Sequence, residues 1–424
     1  MVQAADLTIK RQRRARLWSS LLTGATLLAV ALCGFFFEEL QDWLPWLTEL
    51  QFRSYNWVSQ LEARKPRLKF VTVVEIDDET FYNSMGLASG DATDRVALAA
   101  IIRRIGAFHP AVIALDLDLS HEPVDDKEPR KTANLKLLAA IRDVVEQHIP
   151  VVLTFGFVEG TRKRAENIFP DASLPYFDDP RFAYRARVGF DNASDDLRKV
   201  PLVVLREPSG KGARSFDSFA LAVAGAYEDV LGIGRNTSKR LAAQISRLEF
   251  VYTSFLPQSE FPKLSASRLL EPGDQNLIGL SHRVVLIGGN RHRRPRGGDN
   301  EYVDDHELAP LRMRGMYLQA NYIEGLLDDR IRSTVPRWAA SAIDLGLALL
   351  MIRFSKQGKR LPARLALLAV FFVPVIFAYI ASVNLGYVID FVLPLLLLFI
   401  HAFLEHYLHL QHLAHLVKET HPDG

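Results

Sequence analysis

The sequence predicts an α/β protein: a mixed, mostly parallel sheet with flanking helices in an exported domain, plus four transmembrane helices, one N-terminal and three C-terminal. Three observations carry that expectation. Between residues 70 and 157, β-rich runs alternate with helical periodicity, the order that demands parallel strands and right-handed crossovers. The longest uncharged apolar stretches stand toward the two ends of the chain. The 51 Lys and Arg nearly cancel the 49 Asp and Glu, leaving a net charge of +2, which argues against a nucleic-acid binder held by bulk charge. Hydrophobic residues make up 49% and charged residues 24% of the 424, so the chain is neither disordered nor collagenous. The single cysteine excludes a disulfide scaffold and a Cys-based zinc site.

The N-terminal stretch Leu17–Phe37 carries no charge and is long enough to span a bilayer as a helix. Lys10, Arg11, Arg13, Arg14 and Arg16 precede it, and no small-residue cleavage site closes it, so an uncleaved anchor is expected. Three C-terminal candidates follow: Trp338–Ile352 with Asp344, Leu365–Val383 with Pro374, and Tyr387–Phe403 with Asp390. Arg353, Lys356, Lys359, Arg360 and Arg364 lie between the first two, whereas Asn384-Leu385-Gly386 separates the last two. The positive-inside rule then places 1–16 and 353–364 in the cytoplasm and 38–337 outside. The expected layout is a cytoplasmic basic N-terminus (1–16), a first span (17–37), an extracytoplasmic domain (38–337), three spans (338–403) and a cytoplasmic His-rich tail (404–424). The protein is thus expected in the inner (cytoplasmic) membrane, multi-pass, with a large periplasmic or extracellular domain.

Within 38–337, Glu38–Lys65 reads as an amphipathic helix leaving the membrane, interrupted at Pro45. Strands are expected at Phe70–Ile76, Ala111–Leu119, Val151–Phe157, Arg187–Phe190, Val200–Leu205, Leu248–Phe255 and Val284–Ile287. Helices are expected at Arg95–Phe108, Leu135–Gln147, Phe216–Tyr227 and Met316–Leu327.

Several polar residues fall where chemistry is usually found. Asp77 and Asp78 follow the first strand, Asp116 and Asp118 end the second, and Asn290 closes Gly288-Gly289-Asn290 after a later one. Parallel sheets bind ligands beyond the carboxyl ends of their strands. Two roles stay open for these carboxylates, a ligand or cation site and the capping of helices and turns. Alternation puts Asp116 and Asp118 on one face and Leu115 and Leu117 on the other. Asp344 and Asp390 are intramembrane carboxylates, either functional or hydrogen-bonded between helices. The basic run from Arg291 to Arg296 is followed at once by acidic residues and reads as a self-neutralising loop. His406, His409, His412 and His415 repeat every three residues, so only neighbouring pairs share a helix face. Gly232 to Lys239 lacks the phosphate-loop frame, and no hydrolase motif is present.

The elements, in this order, resemble the CHASE extracellular sensory domains of the second type. The resemblance rests on FRSYNWVSQLEARKP (52–66), VVEIDDETF (73–81), AVIALDLDLS (111–120) and VGFDNASDDLRKVPLVV (188–204) with Arg198 and Pro201-Leu202. It continues through SFDSFALAVA (215–224), FPKLSASRLLE (261–271), RVVLIGG (283–289) and ELAPLRMRGMYLQANYIEGLLDDR (307–330). Asn56 stands where Asp is usual, and Gln319 replaces the His usual before Ala320-Asn321. One helix before the domain and three after it also match that family's arrangement. The resemblance implies a sensory domain and, in such proteins, a kinase or cyclase output after the last helix. Here about 20 residues follow it, too few to bury a core, and no output domain is expected in this chain.

The expected function is a membrane-anchored receptor that passes a signal through its helices to a separate partner. The alternative is an oligomeric membrane effector or channel-like protein with an extracytoplasmic regulatory domain. An exported enzyme ranks last, because no nucleophile or base accompanies the carboxylates; no catalytic residue and no cofactor are expected, and a metal is left open. The expected ligand-binding residues are Asp77, Asp78, Asp116, Asp118 and Asn290. The expected partners are an unidentified extracytoplasmic ligand, a cytoplasmic or membrane signalling protein, membrane lipid and further copies of the chain, with no nucleic acid.

Overall fold

The computed structural model describes residues 17, 20–32, 36, 46, 50, 53, 70–87, 93–117, 128–156, 182–187, 199–200, 202–206, 214–232, 237–242, 251–253, 255–271, 279–293, 301–302, 305–308, 311–328, 330–357, 372, 375–382, 387–388, 396, 399–401, 403–404, 407 and 410–411. The chain divides into two compact units. Pro66–Ile331 forms one, and Met1–Lys65 with Arg332–Gly424 forms the other.

The first unit is built on six strands: β1 (Val71–Asp77), β2 (Val112–Asp116), β3 (Val151–Gly156), β4 (Phe182–Arg187), β5 (Lys263–Ser265) and β6 (Val284–Asn290). They pair in the order β4-β3-β2-β6-β1-β5, and every pairing is parallel. Among the described residues, antiparallel pairing in this unit is confined to short pairs such as Arg214–Asp217 with Val203–Arg206. The expected β-α-β-α-β order is present, with one element out of sequence. β6 arrives late in the chain and slots between β1 and β2, Val73 lying opposite Leu286 and Leu286 opposite Ala114.

Helices cover both faces, and strand alternation assigns the residues. Val74, Ile76, Ile113, Leu115, Val285 and Ile287 form one core with α1 (Arg95–Gly106) and α2 (Glu128–Glu146). α3 (Phe219–Leu231) and α4 (Gly315–Leu327) pack on the opposite side, α4 on β6 and β1. Strands buried on both faces read as continuous apolar runs rather than alternating ones, which is why these were recognisable as strands but not assignable to a face. The helix starts follow from local chemistry. Asp94 accepts the Val96 N–H at 2.8 Å, and Ser218 accepts the Leu221 N–H at 3.2 Å. α3 ends on Gly232 at φ 59°.

Boundaries differ from expectation where tertiary pairing overrides pattern. α2 starts at Glu128 rather than Leu135. The expected helix Phe216–Tyr227 begins only at Phe219, because Arg214–Asp217 is drawn into a strand. The expected strand at 187–190 is placed at Phe182–Arg187, paired with β3, and 188–190 lie outside the described residues. His148 sits at φ 65° in the turn after α2, a left-handed conformation costing a non-glycine residue about 1–2 kcal/mol. His148→Gly is therefore expected to stabilise the domain by about 0.5–1 kcal/mol. The check is the midpoint of chemical denaturation of the whole protein, and an unchanged or lowered midpoint would refute it.

In the second unit, α5 (Arg337–Gln357) covers the first expected C-terminal span as one helix, and residues 20–32 are helical within the expected N-terminal span. Among the described residues no helix is long and apolar enough to cross a membrane. Much of the four expected spans lies outside the described residues, as do Cys33, Asp390 and the histidines at 406, 409, 412 and 415. The expected third C-terminal span begins too early at Tyr387. Tyr387–Val388 is a short strand paired in parallel with Ser333–Thr334, which satisfies its backbone outside any helix.

Among the described residues of this unit, large apolar side chains lie on the surface as well as inside, where Val30, Leu347 and Val375 are buried. Leu21, Leu28, Trp338, Ile376, Phe399 and Phe403 are exposed. Asp344, Ser382 and His401 are buried, alongside Ala348 and Ala378. Thr26 gives its one hydroxyl proton to the Leu22 carbonyl at 2.9 Å, and His401 Nδ1 lies 2.9 Å from the same oxygen. The imidazole is therefore the donor in that second contact.

Candidate functional site

The carboxyl ends of β1, β6 and β2 bring four of the five expected ligand residues to one edge of the sheet. Asp77 pairs in register with Asn290, and Glu75 and Asp116 flank Gly288 in a single row. That row faces α4. A Cβ built on Gly288 would fall 2.7 Å from Met316 Cβ, so only glycine lets the helix lie this close. Asp118 lies outside the described residues.

Each acidic side chain has a distinct setting. Asp77 is the last residue of β1, and its Oδ1 accepts the Thr80 N–H at 2.9 Å and the Thr80 hydroxyl at 2.6 Å. Thr80 Oγ1 in turn accepts the Ser267 N–H at 2.9 Å. Asp77 thus anchors the helical turn Glu79–Ser84 to the segment after β5. Asp78 accepts the His292 N–H at 2.8 Å and lies 2.7 Å from His292 Nδ1. Tyr82 donates to the His292 carbonyl at 2.6 Å, and the Arg291 guanidinium stacks 3.5 Å over the Phe81 ring. The turn after β1 and the residues after β6 are thereby fastened together.

On the α4 side lies a second network. Glu75 Oε1 accepts from the Tyr317 hydroxyl and from Asn290 Nδ2, each at 2.5 Å. Burial, then the hydrogen bond and charge of Glu75, push the Tyr317 phenol upward. Tyr317 therefore serves as a neutral donor, not as a base. Asp116, 5% exposed, lies one strand over from Gly288. Among the described residues no three His, Cys, Asp or Glu side chains are grouped to hold a metal ion. The arrangement is a set of buried acceptors and neutral donors suited to holding a polar or cationic group by hydrogen bonds.

Glu75 and Tyr317 lie inside two of the segments that carry the resemblance, 73–81 and 307–330, yet neither is among the expected ligand-binding residues. The available signal for Glu75 was an acid inside an apolar strand run, VTVVEID. Tyr317 gave none, because its partner is 242 residues away. Asn321, within the segment that carries the resemblance, has a clear task. Its Oδ1 accepts the Leu256 N–H at 2.6 Å, and its Nδ2 donates to the Leu256 carbonyl at 3.2 Å and to the Tyr317 carbonyl at 2.9 Å.

The remaining sequence-expected residue in the described set, Asp344, lies in α5 and is 7% exposed. A family model for the CHASE2 domain matches residues 25–354. No curated protein and no solved structure matches the chain.

Proposed function

The chain belongs to the CHASE2 domain family, a family of sensory domains, and on that premise we propose that it is a membrane-anchored receptor without catalytic activity of its own. The α/β unit lies outside the cytoplasmic membrane and takes its ligand at the carboxyl ends of β1, β6 and β2. Glu75, Asp116 and Asn290 face the ligand, while Asp77 and Asp78 hold the surrounding turns. The helices pass the resulting shift to a separate signalling protein. A ligand moves such an equilibrium only by binding one arrangement better than the other.

The observation that carries the membrane part is the apolar surface of the second unit. Large apolar side chains such as Leu28, Ile376 and Phe399 face outward, and Asp344, Ser382 and His401 face inward. That distribution suits hydrocarbon surroundings, where polar groups hide in the helix interior. The basic segments at 10–16 and 353–364 supply the orientation. An oligomeric membrane effector is the second candidate, and the buried carboxylate of Asp344 is what favours it; ion leakage abolished by Asp344→Asn would select it.

Topology is tested with an impermeant maleimide on intact cells. In a Cys33→Ala background, Asn83→Cys is expected to label from outside, and Gln411→Cys only after permeabilisation. Both positions are exposed. Labelling of Gln411→Cys in intact cells, or protection of Asn83→Cys, would overturn the proposed orientation.

A further inference from the structure

The end of the sheet opposite the acidic strand ends holds a carboxyl group that none of the roles above uses. α4 is buried along its whole length, and Glu324 within it is 1% exposed. Its Oε1 accepts two backbone donors at once, the Phe70 N–H at 2.7 Å and the Val71 N–H at 2.8 Å. Val71 opens β1 and Phe70 precedes it, and in sequence four residues separate them from the segment 38–65 that leads from the first apolar stretch. One side chain thus holds the point at which the chain enters the domain.

The surroundings are mixed in charge. Asp328 follows α4, and Arg330 Nε lies 3.0 Å from its carboxylate. From α3, Tyr227 meets the Phe70 ring edge-on at 5.7 Å. Arg283 leads into β6 and acts on Tyr227. Arg240 reaches the Leu326 carbonyl at 3.1 Å.

We propose that Glu324 is a proton-binding site through which this domain responds to external acidity, the proton setting how firmly the start of β1 is held. The proposal deepens the receptor assignment by naming one stimulus, a proton, at a site separate from the carboxyl strand ends.

The direction follows from the burial. Burial raises the Glu324 carboxyl from the ordinary 4.5 to about 7, against the pull of the Val71 N–H, Arg330 and the Phe70 N–H and with a push from Asp328. The folded domain then keeps a proton between those values that the unfolded chain has released. Its stability falls as pH rises through that window and levels off above it. The neutral acid still accepts both N–H groups through its carbonyl oxygen. Ionisation strengthens those two contacts but places a charge in a site with little water, so it favours any opening that brings water to Glu324. Tyr227 stays neutral throughout, its phenol raised first by burial, then by Glu324, and opposed by Arg283.

The test is hydrogen exchange at the Phe70 and Val71 amides of the full-length protein in lipid nanodiscs, corrected for the intrinsic pH dependence of exchange. Between about pH 5 and 8.5 the wild-type opening constant is expected to rise roughly a hundredfold. Glu324→Gln keeps the acceptor oxygen and cannot ionise, so its opening constant is expected to be flat. A flat wild type, or an equal rise in Glu324→Gln, would overturn the proposal. If the variant fails to fold, isotope-edited infrared spectra of the wild type decide: at about pH 6, where exposed glutamates are ionised, a protonated carboxyl band from labelled glutamate must persist and then vanish as pH rises past neutrality, and its absence at that pH refutes the site. A flat titration leaves the receptor assignment intact. A failed labelling test leaves the proton site intact but removes its access to external acid.

Discussion

Gly325→Ala is expected to destabilise the α/β unit by about 3 kcal/mol or more, the reverse of what the same change does in an ordinary helix. In an exposed helix interior, glycine to alanine gains about 1 kcal/mol. Here a Cβ would fall 2.1 Å from Thr253 Oγ1 and 2.8 Å from Thr253 Cβ. Neither neighbour is a flexible chain end: Thr253 is fully buried, in the strand Val251–Thr253, and is β-branched. The helix must therefore move off the strand or the variant must unfold. The measurement is the denaturation midpoint of the full chain. Thr253→Ala in the same background removes the oxygen but not the Cβ, so it is expected to restore only part of the loss. A Gly325→Ala protein as stable as wild type would show that α4 does not lie this close to Val251–Thr253.

Asn321→Leu is expected to cost about 3 kcal/mol, although leucine has nearly the same shape. The side chain is fully buried and serves both the N–H and the carbonyl of Leu256 as well as the Tyr317 carbonyl. Removing it leaves buried backbone groups without their partner, each costing about 1–3 kcal/mol. Asn321→Asp discriminates the role. It keeps the acceptor for the Leu256 N–H and loses the donors, so it is expected to fall between wild type and Asn321→Leu near neutral pH. Equal losses in the two variants would mean that the cavity, not the hydrogen bonds, sets the cost.

The parts of this molecule that were legible in its sequence are those fixed by neighbours a few residues away. β1, β2 and β3 and the helices between them follow from apolar runs broken at Pro110 and Pro150. The capping role for Asp77 was available because its partner, Thr80, is three residues on. Asp78, by contrast, reaches His292 across 214 residues, and no local pattern announces that contact. The insertion of β6 between β1 and β2 was equally hidden. Each strand is apolar on both faces, and such runs carry no record of which strand lies beside which. Glu324 escaped notice for a different reason. α4 is apolar nearly all round, as a helix buried on every side must be, and one acid in such a run looks like a solvent-facing residue until its two backbone donors are seen.

The late arrival of β6 sets a timetable for the growing chain. β1 and β2 share no hydrogen bonds with each other in this sheet; both wait for β6. Roughly 200 residues separate Val71 from its partner Val284, on the order of ten to forty seconds of synthesis at ordinary ribosomal speed. Through that interval β2 has β3 beside it, and β1 gains β5 only at residue 263, but each keeps an open edge where β6 belongs, which any passing strand can capture. A nascent chain halted before Val284 is therefore a substrate for proteases and chaperones rather than a smaller version of the domain. Quality control of this protein acts on the whole unit, since the sheet has no centre until its last long strand has been made.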